Sequence, residues 1–326
     1  MPTKREFLIV GAAAAASLAT TGAFAQDNWP SRPIRFYASF PPGGVADIVA
    51  RVLSPALSTR LGQPVIVDNR AGAGGVIGVD SVAKSAPDGY TIGFGVSGAL
   101  TSSVTLNPKL PYDPTKDIAP VSVVVLNPLL LVVPANAGIG NLKDFIAKAK
   151  AAPGKFTYGT AGPGTAMNLA GELLKEMAGF QMTHVPYKGS SPAAMDLLGG
   201  QLSAAVLDVA TAKPHLQSGR LKALGLTSGQ RSAIVPDIPT IAEAGVSGYE
   251  FNSWFGLVMA PGTPAPILQR MNKEVVAVLR DPQVKQALID AGTDPAPSTP
   301  DAMAKQIKRE IDLTAKLIKS AGITLQ

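Results

Sequence analysis

The 326-residue chain has no cysteine, only two histidines and an aromatic content of 6%. Without thiols it can form no disulfide, thiol nucleophile or zinc-thiolate site, and it offers no cysteine for a lipid anchor. His184 and His215 lie far apart in sequence and no carboxylate cluster accompanies either, so no metal site is expected. Basic residues are scattered, with no arginine-rich patch interleaved with aromatics, and nucleic acid is not an expected partner. No Gly-Lys-Ser/Thr ending makes a phosphate-binding Walker loop. The glycines at Gly72, Gly74 and Gly75 lack the spacing of a dinucleotide fingerprint, so no cofactor is expected. A Gly-x-Ser-x-Gly elbow is also missing: Ser97 follows Val96, and Ser191 is followed by Pro192. A secreted α/β hydrolase or transferase therefore stands only as the alternative to a binding protein that is not an enzyme.

The first 25 residues read as an export signal. Lys4 and Arg5 form a basic start, an apolar stretch runs from Phe7 to Ala23, and Ala23-Phe24-Ala25 fits small-x-small cleavage after Ala25. The stretch is short and rich in Ala, Gly and Thr, which favours cleavage over a membrane anchor. The Lys-Arg pair leaves both the Sec and the twin-arginine routes open. Lys4, Arg5 and Glu6 leave with the signal, so the net charge of +6 becomes +6 − 1 = +5. A free protein of the periplasm is expected, its charge suited to an anionic ligand.

Apolar strand runs alternate with helical patterns along the remaining chain. Residues 32–40 read as a strand and Val45 to about Leu61 as a helix. Strands follow at 64–69 and 90–96, then paired apolar runs at 121–126 and 129–135. The central part alternates again through 155–161, a helix from about Gly164, and the segments MTHVPY, SPAAMDLLGG, LSAAVLD and LKALGLT. A strand near Trp254 and three helices close the chain. The pattern predicts an α/β fold with mainly parallel sheets.

Two strand-to-helix junctions stand out. In Phe40-Pro41-Pro42-Gly43-Gly44, glycine precedes a helix whose first turn has no lysine or arginine. The first N–H groups of a helix lack intrahelical partners and carry partial positive charge. Glycine lets an anion approach them. The bland reading is a tight turn that needs glycine for its own backbone. The second junction, Thr160-Ala161-Gly162 through Thr165 and Asn168, repeats the device and adds hydroxyls. Two such starts facing one cleft would hold a carboxylate without a fixed cation. Asp47, with Arg51 four residues on, caps its helix or meets a ligand ammonium or water. Asp208, at the end of LSAAVLD, should point at the cleft, where it caps the next turn or binds ligand or water. Lys188 is a candidate for the cleft rim, and His184 for a satisfied core histidine.

These residues sit inside a wider pattern. The motifs Phe40-Pro-Pro-Gly-Gly-Val-Ala-Asp47, Val67-Asp-Asn-Arg-Ala-Gly-Ala-Gly-Gly75, Pro87-Asp-Gly-Tyr-Thr91, Leu110-Pro-Tyr-Asp-Pro114, Tyr158-Gly-Thr-Ala-Gly162, His184-Val-Pro-Tyr-Lys-Gly189, Leu197-Leu-Gly-Gly-Gln201 and Pro236-Asp-Ile-Pro-Thr240, with Tyr249 and Trp254, appear in this order. The chain resembles the Bug family of periplasmic solute receptors of tripartite tricarboxylate transporters over residues 27–326. That resemblance implies a two-lobed type II periplasmic binding fold with a two-segment hinge. One lobe comprises 27–127 plus 234–326, the other 128–233. It also implies a monomer that captures a small carboxylate for the membrane subunits of such a transporter or for a sensor kinase. The ligand residues it implies are Phe40, Pro42, Gly43, Gly44, Asp47, Thr160, Ala161, Gly162, Thr165 and Asn168, with Ser97, Gly98 and Thr101 at the variable end; Asp208 joins them from its place at the strand end. The chain departs from the family pattern in its 97–110 segment and at Asn168, where relatives often carry histidine.

Overall fold

The computed structural model describes residues 29–232, 234–320 and 322–323; the expected leader lies outside the described residues. The first lobe begins with β1 (Ile34–Ala38), α1 (Val45–Leu61), β2 (Val65–Asn69), α2 (Val76–Ala83) and β3 (Thr91–Val96). Short helices α3 (Ser97–Leu100) and α4 (Ser102–Leu106) lead to β4 (Ala119–Leu126). The second lobe holds β5 (Leu129–Pro134), α5 (Leu142–Ala151), β6 (Thr157–Thr160), α6 (Ala166–Ala178) and β7 (Thr183–Pro186). It continues through α7 (Ser190–Leu198), β8 (Ala204–Asp208), α8 (Val209–Gln217) and β9 (Leu221–Leu226). The chain then returns to the first lobe as β10 (Trp254–Met259), α9 (Ala265–Arg280), α10 (Pro282–Asp290), β11 (Asp294–Pro295) and α11 (Pro300–Ser320).

Each lobe is one sheet packed between helices. The strand orders are β11-β4-β10-β3-β1-β2 and β7-β6-β8-β5-β9. The sheets are mixed rather than mainly parallel. β1 pairs in parallel with β2 and β3, and β6 with β7 and β8. The strands beside the lobe crossings, β4, β5 and β10, pair antiparallel with their neighbours. The reason is topological. A parallel neighbour needs a crossover helix within one sheet, whereas a strand that arrives from the other lobe can enter from the opposite end.

Helix α1 shows how pattern becomes core. Its buried face is Val45, Ala46, Val49, Ala50, Leu53, Leu57 and Leu61, spaced three and four apart. Ile48 and Val52 are only half-buried. Gly62 ends it at φ 72°, a left-handed conformation that favours glycine.

The first crossing runs through Asn127 and Pro128, between β4 and β5. The second lies further along than residue 234. Ile241, Val246 and Tyr249 are buried in the second lobe's core, and the Tyr249 hydroxyl donates to Ala170 O at 2.8 Å. The return therefore falls at Phe251–Ser253. Segment 235–250 has almost no regular strand or helix to advertise its allegiance; its apolar side chains settle it. The two crossings lie side by side, with Asn127 N donating to Ser253 O at 2.8 Å. Among the described residues no helix is long and apolar enough to cross a membrane.

Candidate functional site

The lobes meet at several close backbone approaches. Ser102 Oγ of the first lobe donates to Gly164 O of the second at 2.7 Å. A Cβ on Gly98 would lie 2.8 Å from Gly164 O, and one on Gly189 would lie 3.6 Å from Pro41 Cδ. Leu106, Leu169 and Ile318 form a small apolar cluster that joins α4, α6 and the end of α11. The lobes are thus drawn together, and the cleft between them encloses cavities of ≈ 60 Å³ and ≈ 30 Å³. Both cavities touch Phe40, Ala161, Met167 and Phe255, so they are parts of one cleft.

The β1–α1 loop forms one wall. Gly43 takes φ +81° and Gly44 is the N-cap of α1. Ile48 N donates to Gly44 O, but among the described residues the Val45 and Ala46 N–H groups have no partner, and both residues line the cavity. The opposite wall carries the start of α7, where Gly189, Ser190, Ser191 and Pro192 line the same cavity. The start of α6 contributes Thr165, Ala166 and Met167 to the smaller part, facing Ser97 and Gly98. Helix starts from both lobes therefore converge on a cleft whose lining residues include no lysine or arginine. Partial positive charge at helix N-termini is the electrostatic resource here.

Of the twelve residues expected at the site, Phe40, Pro42, Gly44, Ala161 and Asp208 line the larger cavity, and Ser97 and Thr165 the smaller. The other five belong to the scaffold behind it. Asp47 accepts hydrogen bonds from Gly43 N (3.1 Å), Arg51 Nε (2.9 Å) and Asn69 Nδ2 (3.0 Å). Burial would raise its carboxyl pKa, but these donors more than offset that and hold it below the usual range. Its role is to clamp the Gly43–Gly44 turn. Thr160 Oγ1 lies 2.7 Å from His184 Nε2 and accepts from Gly162 N. Asn168 accepts from Gly164 N through Oδ1 and donates to the Tyr158 hydroxyl through Nδ2. The Thr165 hydroxyl donates to Gly162 O at 2.7 Å, so its proton is spent inside the lobe even though the residue lines the cleft. The expectation that Thr160 and Thr165 offer free hydroxyl donors is therefore corrected: loop geometry consumes both. Gly43 and Gly162 (φ +130°) serve by their backbone conformation.

Sequence reasoning missed the α7 start, Met167, Phe255 and the hinge pair Asn127 and Ser253, which line the cleft. A signal existed for α7: Tyr187-Lys188-Gly189 follows a strand and precedes a helical run, the same device a third time. Lys188 itself is exposed and outside the cavity lining. Asp208 caps α8 by accepting from Thr211 N at 2.7 Å and also lines the cavity. Its full burial pushes its pKa up, against the lowering effect of the Thr211 hydrogen bonds.

Behind the cleft, burial lowers the His184 pKa to about 4, with Lys175 adding to the lowering and Glu172 opposing it. The unfolded imidazole titrates near 6.5. Below that pH the unfolded chain binds a proton that the folded protein refuses, so stability falls as pH drops from about 6.5 towards 4. His184→Gln should remove about 2–3 kcal/mol of this pH dependence. Denaturant unfolding of both proteins at pH 7 and 4.5 checks it; parallel losses in the two would refute it.

Residues 49–323 match the family model described as "Tripartite tricarboxylate transporter family receptor". The chain belongs to this family. Family members are solute-binding receptors rather than enzymes, which sets the hydrolase alternative aside. Protein BugT of Bordetella pertussis is 39% identical over 301 residues, covering 92% of this chain and 92% of BugT. A Pseudomonas protein described as "UPF0065 protein in tcbD-tcbE intergenic region" is 38% identical over 315 residues, covering 96% and 94%. Among solved structures, Rpa4515 of R. palustris with adipate superposes with a TM-score of 0.88 at 35% identity, covering 91% of this chain and 99% of that one. MatC of Rhodopseudomonas palustris with bound malate gives 0.84 at 31% identity, covering 89% and 100%. The receptor family is thus matched in sequence and in its two-lobed fold.

Proposed function

We propose that this family member is a periplasmic receptor that closes on a small carboxylate, held by helix-start N–H groups of both lobes rather than by a fixed cation. The observation that carries this reading is the convergence of the α1, α6 and α7 starts on one cleft with no lysine or arginine in its lining. Fixed N–H donors in a dry site stabilise an anion without the desolvation cost of burying a cation. The adipate and malate bound by the two Rhodopseudomonas proteins are carboxylates of the size this reading calls for. The leader expected at residues 1–25 would deliver the protein to the periplasm. There it would pass its ligand to the membrane subunits of a tripartite tricarboxylate transporter or report it to a sensor kinase.

The test is a melting screen of C4–C6 dicarboxylates, acidic amino acids and aromatic acids, followed by calorimetry on the hits. A ligand at a hundred times its Kd stabilises the folded state by about 2.7 kcal/mol, a shift of several degrees. A second expected result concerns Lys188. Lys188→Met should change the affinity of a hit by less than about fivefold, since an exposed charge contributes roughly 0–1 kcal/mol. Loss of binding in that variant would replace the helix-start site with a lysine-based one.

A further inference from the structure

Asp208 is the one carboxylate among the residues that line the larger cavity, and nothing in that lining balances its charge. Its neighbours there are Phe40, Pro42, Ala161 and Met167 on the apolar side, and Ser190 on the polar side. One carboxyl oxygen accepts the Thr211 N–H at 2.7 Å. The Ser190 hydroxyl faces the carboxyl without a hydrogen bond of good geometry, and it is a buried polar atom without a partner. Ser190 is 5% exposed and opens α7, whose first N–H groups share the cavity.

We propose that Asp208 engages the ligand as a neutral acid: closing the cleft on a carboxylate takes up one proton from solvent, and the Asp208 O–H donates to the bound anion beside Ser190. This rests on the carboxylate reading above and deepens it, since it makes Asp208 a discriminator between anionic ligands and ligands that carry an ammonium. An ionised Asp208 beside a bound carboxylate would leave two negative charges in a cleft with no cation; like charges at close range disfavour double ionisation. One shared proton removes the conflict and adds a charge-assisted hydrogen bond. The charged groups on the surrounding elements do not supply an alternative. On α1, Asp47 is turned into its own loop and paired with Arg51. On α7, Asp196 accepts from the Tyr187 hydroxyl at 2.7 Å. Lys188 before α7 is exposed, and on α8 neither Lys213 nor His215 lines the cavity. Among the described residues no ionic partner contributes to the state of Asp208, which is governed by burial and hydrogen bonding.

The sign follows from linkage. A carboxyl that binds ligand only when protonated gives the highest affinity at low pH. Affinity then falls up to tenfold per pH unit once the pH exceeds the pKa of the ligand-free protein. The experiment is calorimetry with adipate, malate and the other screened carboxylates at pH 6, 7 and 8, each in buffers of different ionisation enthalpy. Expected is an uptake approaching one proton per bound carboxylate at the upper pH values, and affinity that weakens with pH. Asp208→Asn mimics the neutral acid and keeps the acceptor for Thr211 N. It should bind without proton uptake and with affinity independent of pH. Binding by the wild-type protein without proton uptake would overturn the proposal and leave the carboxylate reading standing. So would a folded Asp208→Asn that binds none of them, as a site built for an ammonium would behave. If none of the carboxylates binds at any pH, the carboxylate reading fails and this proposal with it. Should Asp208→Asn fail to fold, the wild-type proton count decides alone.

Discussion

Gly98→Leu should abolish ligand binding while both lobes stay folded. Gly98 sits in α3 of the first lobe, where a Cβ would lie 2.8 Å from Gly164 O, 3.1 Å from Thr165 Cα and 3.3 Å from Ala166 N. All three atoms are backbone of the second lobe, which no side-chain rotation can relieve. The clash exists only when the lobes are together, so it acts on closure and not on either core. A ligand that touches both lobes draws its affinity from the closed state, and a variant that cannot close loses that share. The expected loss is at least a hundredfold in affinity, about 2.7 kcal/mol. Calorimetry reads the affinity. Small-angle scattering should show the wild type contracting with ligand and Gly98→Leu remaining expanded. Full affinity in the variant would mean that the Gly98–Gly164 approach is no part of the bound state.

Asp47→Ala should cost the protein both stability and ligand affinity, without Asp47 ever touching the ligand. The carboxylate is 5% exposed and satisfies Gly43 N–H, the Asn69 amide and the Arg51 guanidinium at once. Alanine would take the acceptor from the N–H of Gly43, an exposed residue that water reaches, and leave the half-buried Asn69 amide only its bond to Phe40 O, at about 0.5–1.5 kcal/mol for each bond lost. The Asn69 amide also donates to Phe40 O at 3.0 Å, so loosening Asn69 loosens the loop that presents the α1 N–H groups. The total expected loss of stability is about 1–3 kcal/mol, with roughly tenfold weaker binding in the protein that remains folded. Asp47→Asn, which keeps one acceptor, should recover part of both. Chemical denaturation and calorimetry on the two variants separate the effects. Unchanged stability in Asp47→Ala would remove the clamp from the account, and unchanged affinity would uncouple the loop from the ligand.

The two variants show where local pattern was sufficient and where it was not. Helix α1 and its Gly44 cap follow from glycine placement and apolar spacing within one stretch of chain. The α/β alternation follows from the apolar runs, and the two-lobed fold from the family resemblance that the ordered motifs carry. Asp47 and Arg51, one helical turn apart, form an ion pair that adjacency alone predicts. Asp208 as a cap is equally local.

What the tertiary structure decided is whatever depends on which way a loop turns after its strand ends. Thr160 and Asn168 read as ligand donors because hydroxyls and amides at a helix start can face outward. In the folded lobe His184 and Tyr158, brought in from β7 and β6, claim them first. The α7 start entered the cleft because β7 lies at the sheet edge beside β6, a neighbour relation that no local pattern encodes. The return crossing at Phe251–Ser253 was hidden for the same reason: Ile241, Val246 and Tyr249 are ordinary apolar residues until the second lobe's core closes over them. Sequence periodicity specifies which face of an element is buried. Which element lies across from it, and so which polar groups are left free to meet a ligand, is set by long-range packing and exists only once both lobes have folded.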